Sequence, residues 1–218
     1  MGPGRDSTGT RQPLQQAPPM ARAFRAVLVG GSAGGTNALL TLLSRLPDGF
    51  GLPLIVAHHL HKTDGGGFAE HLASRLSLPV GEALDKQPLE PGHVHVAPAD
   101  YHLLVEREGT LALSVDPRVN WARPSIDVLF ESAARAWADA VVAVILSGAN
   151  DDGARGMKLI RELGGLCIAQ APETAESPVM PRAAIALARI EHVLVPDEIG
   201  ALLAELGAGP RELKEDHA

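Results

Sequence analysis

The sequence predicts an α/β protein, a doubly wound, mostly parallel sheet with helices on both faces and a small antiparallel β insertion. Three observations carry this. Short apolar runs without alternation, Arg25–Val29, Leu54–Ala57, Ala140–Leu146 and Leu166–Ala169, are strands buried on both faces. Amphipathic stretches separate them, the rhythm of a parallel sheet covered by helices. Between Val80 and Val115 the texture changes to short alternating runs punctuated by Pro, Gly and Asp, as in antiparallel hairpins.

The elements follow in order. Residues 1–23 are rich in Pro, Gly, Gln and Arg and are expected to form a disordered tail. After the Arg25–Val29 strand, Gly30 to Gly35 breaks the run and Thr36–Leu46 is helical. A His-rich loop follows Leu54–Ala57, with a helix near Phe68–Leu76. His93–Ala97, Tyr101–Glu106 and Thr110–Val115 are the hairpin strands. Ser125–Ala138 is helical, Pro124 sitting well at its first turn. Ala154–Leu163 ends at Gly164-Gly165, Pro181 opens a helix to Ala188, His192–Val195 is a last strand, and Asp197–Leu206 is the closing helix. One domain over 24–207 is expected, with a C-terminal tail at 208–218.

Composition narrows the function classes. A net charge of −7 gives no electrostatic reason to bind nucleic acid, and 3% aromatics leave little for base stacking. The apolar runs are too short to span a bilayer and the N-terminus has no apolar signal core, which together suggest a cytoplasmic protein. The one cysteine, Cys167, lies in an apolar run and reads as a buried strand thiol.

Ligands of open parallel sheets sit at the carboxyl ends of the strands, and three such ends carry reactive side chains. Gly30-Gly31-Ser32-Ala33-Gly34 fits G-x-S-x-G between a strand and a helix, where a sharp turn would lift the Ser32 hydroxyl clear of the sheet and leave backbone N–H groups for an oxyanion. A phosphate-binding turn or a plain helix cap are the alternatives. The loop lacks the second glycine of G-x-G-x-x-G and the lysine of a P-loop. The second strand ends in Ala57-His58-His59-Leu60-His61, and a serine needs an adjacent base such as histidine. Alternatively His58, His59, His61, His93 and His95 could ligate a metal, although no H-E-x-x-H helix or cysteine cluster supports it. His71, His102, His192 and His217 read as surface or packing groups. The third end, Ser147-Gly148-Ala149-Asn150-Asp151-Asp152-Gly153, places an acid where it could orient an imidazole; capping the next helix or binding Mg²⁺ are the rival roles. The order Ser, His, Asp differs from the Ser, Asp, His order of α/β-hydrolases.

Together these segments resemble the catalytic domain of CheB-type chemotaxis protein-glutamate methylesterases over most of Arg25–Val195. The resemblance includes the Gly-Gly-Ser-Ala-Gly-Gly elbow, Phe68-Ala69-Glu70, Pro91-Gly92 with Ala97-Pro98, Arg123-Pro124-Ser125-Ile126-Asp127-Val128-Leu129-Phe130, Leu146-Ser147-Gly148 with Asp152-Gly153, and Met180-Pro181-Arg182. It implies Ser32 as nucleophile, Asp152 as triad acid, and the backbone at Ala33 and Ala149 as the oxyanion region. Anchoring on Phe68-Ala69-Glu70 puts the family histidine at His59. Counting from Ser32 without a gap favours His58, but the Pro47–Pro53 loop can absorb an insertion.

The implied activity is serine-dependent demethylation of glutamate methyl esters on a chemoreceptor-like helical partner, with glutamine deamidation by the same chemistry and no cofactor or metal. Alternatives are a non-enzymatic binding module and a small-molecule esterase on the same fold. Two departures stand out. Ala149-Asn150 replaces the family's common Met-Gly, and Asp151 adds a carboxylate that could shift its neighbour's pKa. Chemotaxis members usually carry an N-terminal receiver domain. A 23-residue tail is too short for one, so phosphorylation control within the chain is not expected.

Overall fold

The computed structural model describes residues 23–208. The expected tails, 1–23 and 208–218, fall almost wholly outside that span, as does His217. Nine strands and six α-helices follow one another along the described chain: β1 (Ala26–Gly31), α1 (Gly35–Leu43), β2 (Leu54–His58), α2 (Gly67–Ala73), β3 (Val80–Glu82), β4 (Val94–Val96), β5 (His102–Val105), β6 (Leu111–Ser114), α3 (Ile126–Trp137), β7 (Val141–Ile145), α4 (Ala154–Glu162), β8 (Leu166–Gln170), α5 (Val179–Ala188), β9 (His192–Leu194) and α6 (Pro196–Gly207). Seven strands form one sheet in the order β3-β4-β2-β1-β7-β8-β9, while β5 and β6 form a separate antiparallel pair. All pairings in the large sheet are parallel.

The continuous apolar runs are explained by what covers them. Successive residues of β1 alternate between two cores. Ala26 and Leu28 pack with Ile126, Phe130, Met157 and Ala184 of α3, α4 and α5, and Val27 and Val29 with Leu39, Leu42, Leu72 and Leu203 of α1, α2 and α6. Every residue of β1, β2 and β7 is buried. At roughly 25 cal/mol per Å² of apolar surface, two such cores are the main term holding the domain together.

One expectation needs correction. The His93–Ala97 segment is not a hairpin strand: β4 joins the large sheet parallel to β2 and β3. Its Val94-His95-Val96 alternates in polarity, yet all three residues are buried. A polar residue hidden under neighbouring chain mimics a half-solvated strand. Only β5 and β6 form the antiparallel insertion, and their Leu103, Val105 and Leu111 pack into the α3 side of the core.

The chain runs outward from β1 through β2 on one side and returns through α3 to β7 on the other. Right-handed crossovers therefore put α1 and α3 on opposite faces, and the loops after β1, β2 and β7 meet at the switch in winding direction.

Candidate active site

Ser32 follows β1 directly. The turn depends on Gly34, whose φ is 71° and whose hypothetical Cβ would lie 2.4 Å from the Glu176 Cβ. The Ser32 N–H donates to the Ser147 carbonyl (2.9 Å), and the buried Ser147 hydroxyl donates to the Ala33 carbonyl (2.7 Å), tying the elbow to the end of β7. Gln170 supports Ser147 in turn, its Oε1 accepting the Ser147 N–H at 2.9 Å. Among the described residues no internal acceptor takes the N–H of Ala33 or Ala149, and both alanines are exposed at the rim.

Gly31 is in register with His58, and the His59 N–H donates to the Gly31 carbonyl (3.1 Å), so Ser32 and His59 leave adjacent strands side by side. The two histidines then part. His58 turns inward, stacked on Phe68 with centroids 4.6 Å apart, its Nδ1 bonding the His59 carbonyl at 3.2 Å and its Nε2 unpartnered. Burial pushes its pKa down to about 4, so the ring is neutral. His59 turns to the rim and meets Asp152, Nε2 to Oδ2, at 2.8 Å. An ionised carboxylate only accepts, so Nε2 carries a proton, and in the neutral ring the lone pair is on Nδ1. The Ser32 hydroxyl itself makes no hydrogen bond to His59; such contacts commonly tighten only when substrate is bound.

Asp152 is completely buried and accepts five hydrogen bonds. Oδ2 takes His59 Nε2 and the Ile126 N–H (2.8 Å), while Oδ1 takes Asn120 Nδ2 (2.7 Å), Ser125 Oγ (2.9 Å) and the Asp127 N–H (3.1 Å). Burial alone would raise its pKa. The bonds from His59, Asn120 and the α3 backbone outweigh it and hold the carboxyl below its ordinary range. Asp152 does cap a helix, but it is α3 rather than the α4 that follows it. Gly153, at φ 93°, is the residue that opens α4. The exposed Asp151 is not among the dominant influences on Asp152.

Asn120 and Arg155 escaped the sequence reading. Asn120 sits at φ 51° in an irregular loop and bridges Asp152 to Asp127 with one amide nitrogen (2.7 and 2.8 Å). The buried Asp127 also accepts from Arg155 Nε (3.0 Å) and the Gly156 N–H (2.8 Å), locking α3 to α4. Ser125-Ile126-Asp127 was visible as a motif, but its bonding to Asp152, in the loop after β7, was not.

The histidines do not gather around a metal. Among the described residues no three His, Cys, Asp or Glu side chains converge as a metal site requires. His93 and His95 stack on each other, centroids 4.6 Å apart. His102 is buried, its Nδ1 accepting the Ser125 N–H (3.2 Å), which makes it a packing group. Cys167 is buried and its thiol is pushed up to about 12 by desolvation. Among the described residues no helix is long and apolar enough to cross a membrane.

A hydroxyl on a glycine turn, an imidazole and a buried carboxylate meet at one rim of the parallel sheet of an α/β domain. The comparisons are more specific. Residues 27–203 match the CheB methylesterase family model, and the chain belongs to that family, whose members are carboxylic-ester hydrolases. A Leptospira interrogans relative, provisionally named protein-glutamate methylesterase/protein-glutamine glutaminase, is 43% identical over 183 residues, covering 84% of this chain and 95% of the relative. Protein-glutamate methylesterase/protein-glutamine glutaminase 3 of Pseudomonas aeruginosa is 39% identical over 204 residues, 93% of this chain and 60% of that longer one. The crystal structure of the Thermotoga maritima CheB methylesterase catalytic domain superposes with a TM-score of 0.80 at 32% identity, covering 84% of this chain and 99% of that one.

Proposed function

We propose that the chain hydrolyses γ-methyl esters of glutamate on a chemoreceptor-like helical protein of the cytoplasm, releasing methanol. The observation carrying this is the 2.8 Å bond between His59 Nε2 and Asp152, which frees Nδ1 as a base beside the Ser32 turn. In this reading Ser32 Oγ attacks the ester carbonyl and His59 Nδ1 takes its proton. The N–H groups of Ala33 and Ala149, which have no internal acceptor, receive the oxyanion. Collapse expels methoxide, which leaves as methanol with the proton from His59. Water then attacks the Ser32 acyl ester, His59 taking its proton and passing it to Ser32 Oγ as the ester bond breaks, and the glutamate side chain departs as its acid, which loses its proton to solvent. Asp152 holds the tautomer and stabilises the imidazolium. The names of the relatives favour a second substrate: a glutamine amide passes through the same acyl intermediate and loses ammonia.

Methanol release from a methylated chemoreceptor fragment tests this. Ser32→Ala is expected to lose at least about 10³-fold in kcat with unchanged urea unfolding, since its hydroxyl makes no structural bond. His59→Ala is expected to fall comparably. Full turnover by either variant sinks the proposal.

A further inference from the structure

The chain carries a net −7, yet the cavity next to His59, about 420 Å³ in volume, has Lys62, Arg118 and Arg123 in its walls and no carboxylate. Asp100 stands behind it and pairs with Arg118 (3.3 Å) and Arg123 (2.9 Å), one carboxylate serving two guanidinium groups. Among the described residues Lys62 has no ion-pair partner. The Arg123 guanidinium is held from behind, Nε and Nη2 donating to Asp100 and Nη1 to the Val115 and Asp116 carbonyls. Lys62 and the half-exposed Arg118 are the cations the wall has to offer, and Asp100 neutralises only one of the wall's three positive charges.

The tip of that wall is Trp121, 94% exposed. It occupies the second central position of a two-residue turn closed by reciprocal bonds between Val119 and Ala122 (3.2 and 3.0 Å), with φ 51° at Asn120 and 64° at Trp121. Such a turn suits Asn followed by Gly. An indole there carries backbone strain and, at this exposure, gains no packing in return. The turn is also fixed, because Asn120 is clamped between Asp127 and Asp152. A large apolar ring held rigidly in water beside a cationic wall has the character of an interface anchor. Val115, whose carbonyl Arg123 binds at 2.7 Å, is a second exposed apolar side chain tied to this wall.

We infer that this cavity and Trp121 dock an acidic polypeptide segment flanking the ester, with Lys62 and Arg118 facing its carboxylates, Arg123 bracing the wall, and the indole packing on the segment's apolar side. The inference rests on the ester-hydrolase reading for its substrate. Its test does not need turnover. Fluorescence anisotropy with the Ser32→Ala protein would measure Kd for a labelled helical peptide bearing a glutamate methyl ester among acidic neighbours, and for the same peptide with those neighbours changed to glutamine.

The acidic peptide should bind about tenfold more tightly at low salt, a preference that shrinks as salt screens it. Lys62→Glu should abolish most of that preference, whereas Lys158→Glu, the same charge change on a distant helix, should not. Trp121→Gly, which suits the turn, should weaken both peptides about tenfold. Equal affinity for the two peptides, or Kd values unmoved by Lys62→Glu and Trp121→Gly, overturns the inference. So does finding that these substitutions instead abolish binding to phosphatidylglycerol vesicles or a concentration-dependent dimer. If this binding pattern holds but the unsubstituted protein releases no methanol, the proposed activity falls and the docking site stands.

Discussion

Replacing Asp152 by asparagine hardly changes side-chain volume but removes one acceptor from a point where five donors converge. The amide has one oxygen and one NH₂, so one side of the cluster must face donor to donor. With the NH₂ at the Oδ1 position, it meets the Asp127 N–H, which cannot reverse, and Asn120 Nδ2, which can reverse only by turning an amide oxygen toward the Asp127 carboxylate. With the NH₂ at the Oδ2 position, it meets the Ile126 N–H and His59 Nε2, and the imidazole escapes by moving its proton to Nδ1. The second arrangement orphans only one group. An unsatisfied buried N–H costs about 1–3 kcal/mol, and losing the negative charge at the α3 N-terminus adds about 1 kcal/mol. A total near 3 kcal/mol leaves a domain of ordinary stability folded. The relocated proton is worse for chemistry, since Nδ1–H cannot accept from Ser32, and kcat should drop about 10³–10⁴-fold. Methanol release and urea unfolding of Asp152→Asn at neutral pH check both numbers. A variant within tenfold of the parent in kcat, or destabilised by less than about 0.5 kcal/mol, refutes the account of the cluster.

Three further outcomes follow from the same contacts. His58 is held near 4 against 6.5 unfolded, so the unfolded chain binds more protons between those values; stability is full above 6.5 and falls by roughly 3 kcal/mol as pH drops to 4. Replacing it with phenylalanine should flatten that limb in a pH series of urea melts. Asn120→Ala strips one donor each from Asp152 and Asp127 and should cost about 1–3 kcal/mol by urea melt, while lowering kcat more than it raises KM in steady-state kinetics. Gly34→Ala combines left-handed backbone with a Cβ 2.4 Å from Glu176, and should lower the melting temperature by several degrees and reduce methanol release.

The sheet was legible where strands are buried on both faces, because β1, β2, β7 and β8 have no polar alternation to confuse the reading. It failed at the edge. β3 is a half-exposed strand of three residues without an apolar run, and β4 hides His95 under its neighbours. At the rim, strand-end chemistry pointed to Ser32, to a histidine of the His58-His59-Leu60-His61 loop and to an acid after β7, and the family resemblance singled out His59 and Asp152; in the structure the three lie on adjacent strand ends, with His59 and Asp152 bonded and Ser32 beside them unbonded. Asn120 gave no such signal. It lies in an irregular loop, and its importance comes from two carboxylates brought to it by distant parts of the chain.

Asp152 stoppers α3 as well as holding His59, so a chain without the proposed reaction would still need that aspartate to keep α3 seated. Its presence in a related chain is therefore weak testimony that the chain is active. Ser32 is the opposite case: its hydroxyl supports nothing and the architecture would not miss it, so under the proposed mechanism its loss or retention is the sensitive mark of activity.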